Sequence, residues 1–211
     1  SVLQGVINEE IILKSALGGA SSAALKTDTG TSDSISIRLQ NAASTDFGDE
    51  VAGGSDDNNV YTVANVETIN IRTNNSATTP ANATMTFGLA AAAATTLTLT
   101  GNAGISFDTG GADSTAAVTT LDASGMSIIK DTYAGVTYAS TNATANASVT
   151  MTGSGGVDTL TGGSATNDTI SGGAGVDTIT YLGGRDVYTG DAGKDAFCVE
   201  ALQHNVTADF L

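Results

Sequence analysis

Aspartate returns at a nearly constant interval from Asp158 to Asp195. Asp158, Asp168, Asp177, Asp186 and Asp195 are separated by steps of ten, nine, nine and nine residues. Two places beyond each stands an apolar or aromatic residue: Leu160, Ile170, Ile179, Tyr188 and Phe197. With aspartate in the sixth place the units read GSGGVDTLT (153–161), GSATNDTIS (163–171), GGAGVDTIT (172–180), YLGGRDVYT (181–189) and GDAGKDAFC (190–198). About six residues of each unit have turn character and three have strand character, with the apolar residue central and pointing inward. Two units then make one coil that lays a strand on each of two sheets, with coils about 4.8 Å apart. Leu160, Ile179 and Phe197 are expected on one inner face, and Ile170 and Tyr188 on the other.

Such a roll has a thin core, one apolar side chain per unit, and it stacks like charges along each edge. It requires something that cancels those charges. The chain carries 22 Asp and Glu against 7 Lys and Arg, a formal net charge of −15, so its own bases do not suffice. The same imbalance disfavours nucleic acid and anionic membrane surfaces as partners. A hard cation fits. Ca²⁺ takes six to eight oxygens from carboxylates and carbonyls, whereas Mg²⁺ keeps its waters and demands strict octahedral geometry. With one His and one Cys, Zn²⁺ has no ligand cluster.

Residues 1–152 differ in texture. Alternating runs recur without a fixed spacing: SISIRLQ (34–40), NVETINIRT (65–73), TTLTLTG (95–101), VTTLDASG (118–125), GVTYAS (135–140) and SVTMTG (148–153). Period-two alternation predicts half-buried strands. Asn-Gly and Asp-Gly hairpin turns are absent, which favours a parallel stack with irregular rungs over hairpins. EEIILKSAL (9–17) fits either a strand or a helix, with strand preferred; GLAAAAATT (88–96) has helix propensity but is too short for a convincing helix. The expected fold is all-β: an irregular parallel β-solenoid over 1–152, a calcium-binding parallel β-roll over 153–198, and the start of a further segment at 199–211.

GGAGVDTIT (172–180) fits the nonapeptide GGxGxDxUx, with U a large apolar residue, at every defined position, and on these residues the chain resembles the RTX calcium-binding family. The resemblance implies ions held between turns two units apart by backbone carbonyls and one carboxylate oxygen from each aspartate. The implied pairs are Asp158 with Asp177, Asp168 with Asp186, and Asp177 with Asp195, about three Ca²⁺ in all. The implied carbonyls are those of Gly153, Gly155, Gly172, Ala174, Gly190 and Ala192. The departures are Gly162 as an extra residue, Thr166 for the fourth glycine, Tyr181-Leu182 for Gly-Gly, Arg185 beside Asp186, and Asp191 for the second glycine. The middle pair carries most of them. Beyond the repeats, VTTLDASG, AGVTYASTNAT and the run from Ser164 to Gly190 are similar to the carboxy-terminal region of Caulobacter-type bacterial S-layer proteins. That resemblance implies a secreted structural protein that self-assembles with calcium into a two-dimensional lattice on the cell surface, exported by a type I route. It also implies that similar proteins continue past HNVTADFL (204–211), so the chain is expected to be a fragment without its secretion signal.

GGSDDNNVY (53–61) is a degenerate turn with Asn58 in the sixth place and Val60 in the eighth. Asp56 and Asp57, with Asp49 just before, form either a solvated acidic loop or a second calcium site. Asp122 either binds an ion at a strand end or makes an Asx turn. Catalysis is not expected. His204 is the one histidine and nothing near it suggests a triad; HExxH is absent. Glycosidase acids need one raised pKa in a pocket, whereas aspartates beside Ca²⁺ would have lowered ones. No run is long enough to span a membrane, and the acidic start is unlike a secretory n-region. Cys198 cannot form an intrachain disulfide. The alternative function is a calcium-dependent folding and secretion scaffold for an extracellular enzyme or adhesin whose active module precedes Ser1.

Overall fold

The computed structural model describes residues 2–4, 10–14, 21–24, 32–47, 60–77, 82–108, 115–128 and 130–199. These residues are all-β, and every strand pair is parallel. One sheet contains, in spatial order, Val2–Gln4, Ser21–Ala24, Tyr61–Ala64, Thr84–Ala90, Gly104–Asp108, Ala134–Ala139, Val157–Thr161, Thr178–Tyr181 and Ala196–Val199. Thr45–Asp46 pairs with Thr84–Ala90 beside this path. The second sheet runs Glu10–Leu13, Ser34–Asn41, Thr68–Asn75, Thr96–Gly101, Thr120–Met126, Ser148–Thr152, Asn167–Ser171 and Val187–Thr189. Along the chain these strands pass alternately to one sheet and the other. The result is a two-sheet parallel solenoid in which each coil adds a strand to both sheets.

Alternation in the sequence explains the core. Ile35, Ile37 and Leu39 are buried on one strand, Ile69 and Ile71 on the next, and Leu97 and Leu99 on the one after. In the second sheet Ile35, Ile69, Leu97, Leu121, Met151, Ile170 and Tyr188 stand on successive rungs of one row. In the first sheet Tyr138, Leu160, Ile179 and Phe197 do the same. The rows expected for the repeats are therefore present. Phe197, on the last described rung, is 47% exposed, while Leu160 and Ile179 are fully buried. Both sheets cross residue 152 unbroken, because Ser148–Thr152 pairs with Asn167–Ser171 and Ala134–Ala139 with Val157–Thr161.

Coil length is irregular upstream, between 20 and 40 residues, and settles to 18 or 19 in the repeats. Hydrogen-bonded neighbours on adjacent coils are 34 residues apart at Asp33 and Glu67, 22 at Val136 and Asp158, and 18 at Asp177 and Asp195. The longer loops upstream are why no fixed spacing is visible there.

One sequence expectation holds and two are adjusted. GLAAAAATT is no helix: strand continues to Ala90 and a turn follows. Val2–Gln4, Ser21–Ala24, Thr45–Asp46, Tyr61–Ala64, Thr84–Ala90 and Gly104–Asp108 are strands that the alternating runs did not mark. The first two repeat strands hold five residues, not three, and begin before the aspartate. Asp158 and Asp168 consequently share the inward side with Leu160 and Ile170, as alternate residues on a strand must.

Candidate metal centre

The inward row that carries the aspartates changes chemistry along the stack. Met85, Ile105 and Val136 occupy three consecutive rungs and are fully buried. On the next rung the row reaches Asp158, whose carboxylate accepts a hydrogen bond from the Val136 main-chain N–H. It continues with Asp177 and Asp195. The Asp158 N–H donates to Asp177 Oδ1 at 2.9 Å, and the Asp177 N–H donates to Asp195 Oδ1 at 3.1 Å. Along the other edge Val149 precedes Asp168 in register, and the Asp168 N–H donates to Asp186 Oδ1 at 2.8 Å. The three pairs expected from the repeats are thus brought together, each through the same carboxylate-to-backbone bond.

Asp158, Asp168 and Asp177 are at most 1% exposed. The described residues contain one ion pair, Arg38 with Glu10, on an early coil. Buried carboxylates without a counter-charge resist ionisation. Burial, opposed by hydrogen bonds from Val136 and Ser154 and reinforced by Asp177, pushes Asp158 up to about 6. Burial also raises Asp168, against bonds from Thr166 and Gly163, with Asp186 adding to the rise. Burial raises Asp177, against the Asp158 N–H, with Asp195 and Asp191 adding to it. These directions are opposite to those expected beside a cation; a bound divalent ion would invert them.

Asp158 is satisfied within the protein: Ser154 donates its N–H to Oδ2 at 2.7 Å and its hydroxyl to Oδ1 at 3.0 Å. Asp177 is not. Its Oδ2 is buried and has no hydrogen-bond partner. An unsatisfied buried oxygen on a charged group costs more than the roughly 1–3 kcal/mol of a neutral one. This oxygen faces the space left by the missing side chain of Gly172. A Cβ there would lie 2.5 Å from Asp177 Oδ2 and 2.9 Å from the Gly190 carbonyl oxygen. One coil earlier, the space at Gly153 is flanked by Asp158 Oδ2 at 2.7 Å and, closer still, by the Gly172 carbonyl. Carboxylate and carbonyl oxygens from stacked turns therefore converge where glycine leaves room. That donor set, oxygen only, fits Ca²⁺.

No three acidic, His or Cys side chains cluster among the described residues, so carbonyls or water would complete the coordination of any ion. Of the expected carbonyl residues, Gly153, Gly172 and Gly190 stand in this stack. Ala174 and Ala192 pair in a short parallel ladder along the same edge, taking the Ser154 and Gly173 carbonyls through their N–H groups at 3.1 and 2.8 Å. Gly155 is on the open side of its turn, with nothing within 4 Å of a Cβ. Asp191 holds a left-handed backbone at φ 62°, as the glycine it replaces would, and it adds negative charge near Asp177. The sequence marked it only as a departure.

Gly162 is not an extra residue in space. It stands against Asp168 Oδ2 as Gly153 stands against Asp158 and Gly172 against Asp177. Its N–H pairs with the next coil in the same way. The tenth residue of that step is absorbed between Gly163 and Asn167. Asp122 makes the Asx turn, accepting the Ser124 N–H at 3.0 Å and its hydroxyl at 2.6 Å, and it does not join the repeat aspartates. Asp49, Asp56, Asp57 and His204 lie outside the described residues. Comparison with protein-family models and with curated proteins finds no match for the chain.

Proposed function

We propose that this chain is a structural domain of a bacterial surface layer, extracellular and without catalytic activity, whose terminal coils are ordered by Ca²⁺. The carrying observation is the buried, unpartnered Asp177 Oδ2, set opposite the Gly190 carbonyl in a stack of turns with no basic side chain paired to it. When bound, calcium would supply the missing positive charge. Asp177 with Asp195 would hold it together with the Gly190 carbonyl, and Asp158 with Asp177 would hold a second ion beside the Gly172 carbonyl only by exchanging the bonds that Asp158 accepts from Ser154. Binding that favours the folded state over the unfolded one adds stability by mass action.

Support for assembly comes from the similarity of the flanking strands to surface-layer proteins and from exposed apolar residues on the later described coils. Phe197, Val199 and Val187 on the last described rungs are all substantially exposed. Exposed apolar residues of this kind offer a surface on which a partner can dock. No helix among the described residues is long and apolar enough to cross a membrane.

Electron microscopy of the purified chain with calcium and with EGTA tests this reading: ordered sheets that dissolve on chelation support it. Particles that stay monodisperse at millimolar calcium would instead favour the secretion-scaffold function. The change from apolar to acidic side chains along one row speaks for that second reading, because it makes only the last coils dependent on extracellular calcium.

A further inference from the structure

The geometry points to a roll whose two edges differ: the Asp168–Asp186 edge is closed by protein hydroxyls and takes no ion, and cation binding is confined to the edge that carries Asp177. This rests on the calcium reading above and refines it. All four carboxylate oxygens of the closed edge are engaged by protein donors. Thr166 donates its hydroxyl to Asp168 Oδ1 at 2.6 Å, and the Gly163 N–H reaches Oδ2 at 2.7 Å. The Asp168 N–H takes Asp186 Oδ1 at 2.8 Å, and the Tyr188 hydroxyl donates to Oδ2 at 2.7 Å.

The space beside the glycine is also different. At Gly153 and Gly172 it faces a carbonyl of the next turn; at Gly162 it faces the Tyr188 hydroxyl, 3.1 Å from a Cβ position. A carbonyl is an acceptor that a cation can use, whereas a hydroxyl already donating to Asp186 fills the space and brings its own proton. The Tyr181 hydroxyl donates to the Gly184 carbonyl at 3.2 Å, removing another oxygen from the turn, and the two tyrosine rings meet edge to face at 6.3 Å. Thr166, where the repeat has glycine, and Tyr188, where it has a large apolar residue, are thus the groups that replace the ion, with Tyr181 tying up a turn carbonyl.

The test is the number of Ca²⁺ ions held by the whole chain, counted by native mass spectrometry and calorimetric titration. Asp186→Asn is expected to bind as many ions as the unaltered protein, and Asp177→Asn fewer. A double variant, Thr166→Gly with Tyr188→Phe, restores glycine and strips the phenolic hydroxyl, and it is expected to gain one ion. Loss of an ion in Asp186→Asn overturns the proposal, as does an unchanged count in the double variant. If the unaltered chain binds no calcium, the calcium reading itself fails, and this inference with it. Far-UV circular dichroism on each variant separates a lost site from a lost fold; should Asp186→Asn unfold, the double variant decides.

Discussion

The main-chain N–H of Asp158 donates to the carboxylate of Asp177, 19 residues later and one coil further along the stack. The bond ties one turn to the next and at the same time places two buried acids side by side. Asp177 occupies the same position toward Asp195. It is therefore the one repeat aspartate with an acidic neighbour of its row on both sides.

Asp177→Asn is expected to weaken calcium binding by well over about tenfold, beyond what loss of an outer hydrogen-bond partner costs. Asp122→Asn should leave it unchanged, since that carboxylate serves a local turn. Calorimetric titration of both variants checks this; equal losses would place the ion elsewhere.

Gly172→Ala puts a methyl group into the space between Asp177 Oδ2 and the Gly190 carbonyl. Calcium affinity should fall, with destabilisation of roughly 1–3 kcal/mol from overpacking. Gly155→Ala, with open space around it, should be nearly silent. Denaturant melts in calcium and in EGTA measure both effects.

The cation-free fold should lose stability as pH rises. Asp158 is held at about 6 in the fold against an ordinary value of 3.8, so between these values the folded state binds more protons than the unfolded one. Stability in EGTA should therefore decline from about pH 4 to about pH 6 and level off above. With calcium the slope should reverse, because the ion requires the deprotonated carboxylate. Thermal melts across pH, with and without calcium, report the sign directly.

Ile170→Ala should cost about 2–5 kcal/mol, since this rung buries a single apolar side chain in the second sheet. Phe197→Ala should cost much less, because its ring is half exposed. Urea unfolding midpoints at saturating calcium give the comparison.

Period and partner choice in the roll were legible because both are local. Nine residues per half-coil fix which aspartates stack, and alternation fixes which side chains share a face. Most upstream strands were visible for the same reason. Thr84–Ala90 escaped because its Gly88 and following alanines blur the alternation, and Gly104–Asp108 because it reads as a glycine-rich loop. Three features depend on contacts across coils and had no signal within a single unit. One is the hydroxyl of Tyr188, which reaches back to Asp186 and to the space at Gly162. Another is the position of Gly162, revealed only when the turns are superposed in the stack. The third is the continuation of the aspartate row into Val136, Ile105 and Met85.

That continuation gives the molecule a direction. The coils of Met85, Ile105 and Val136 bury hydrocarbon in the row and leave no buried charge in it to cancel, so they present a finished strand edge to the first acidic coil. Each coil that closes becomes the edge for the next, and closing 18 or 19 residues onto a formed edge costs less loop entropy than starting anew. Under the proposed calcium reading, the ion would act as a ratchet on a zipper that runs from Asp158 towards Asp195. Hydrogen-exchange protection during a calcium titration should advance in that order.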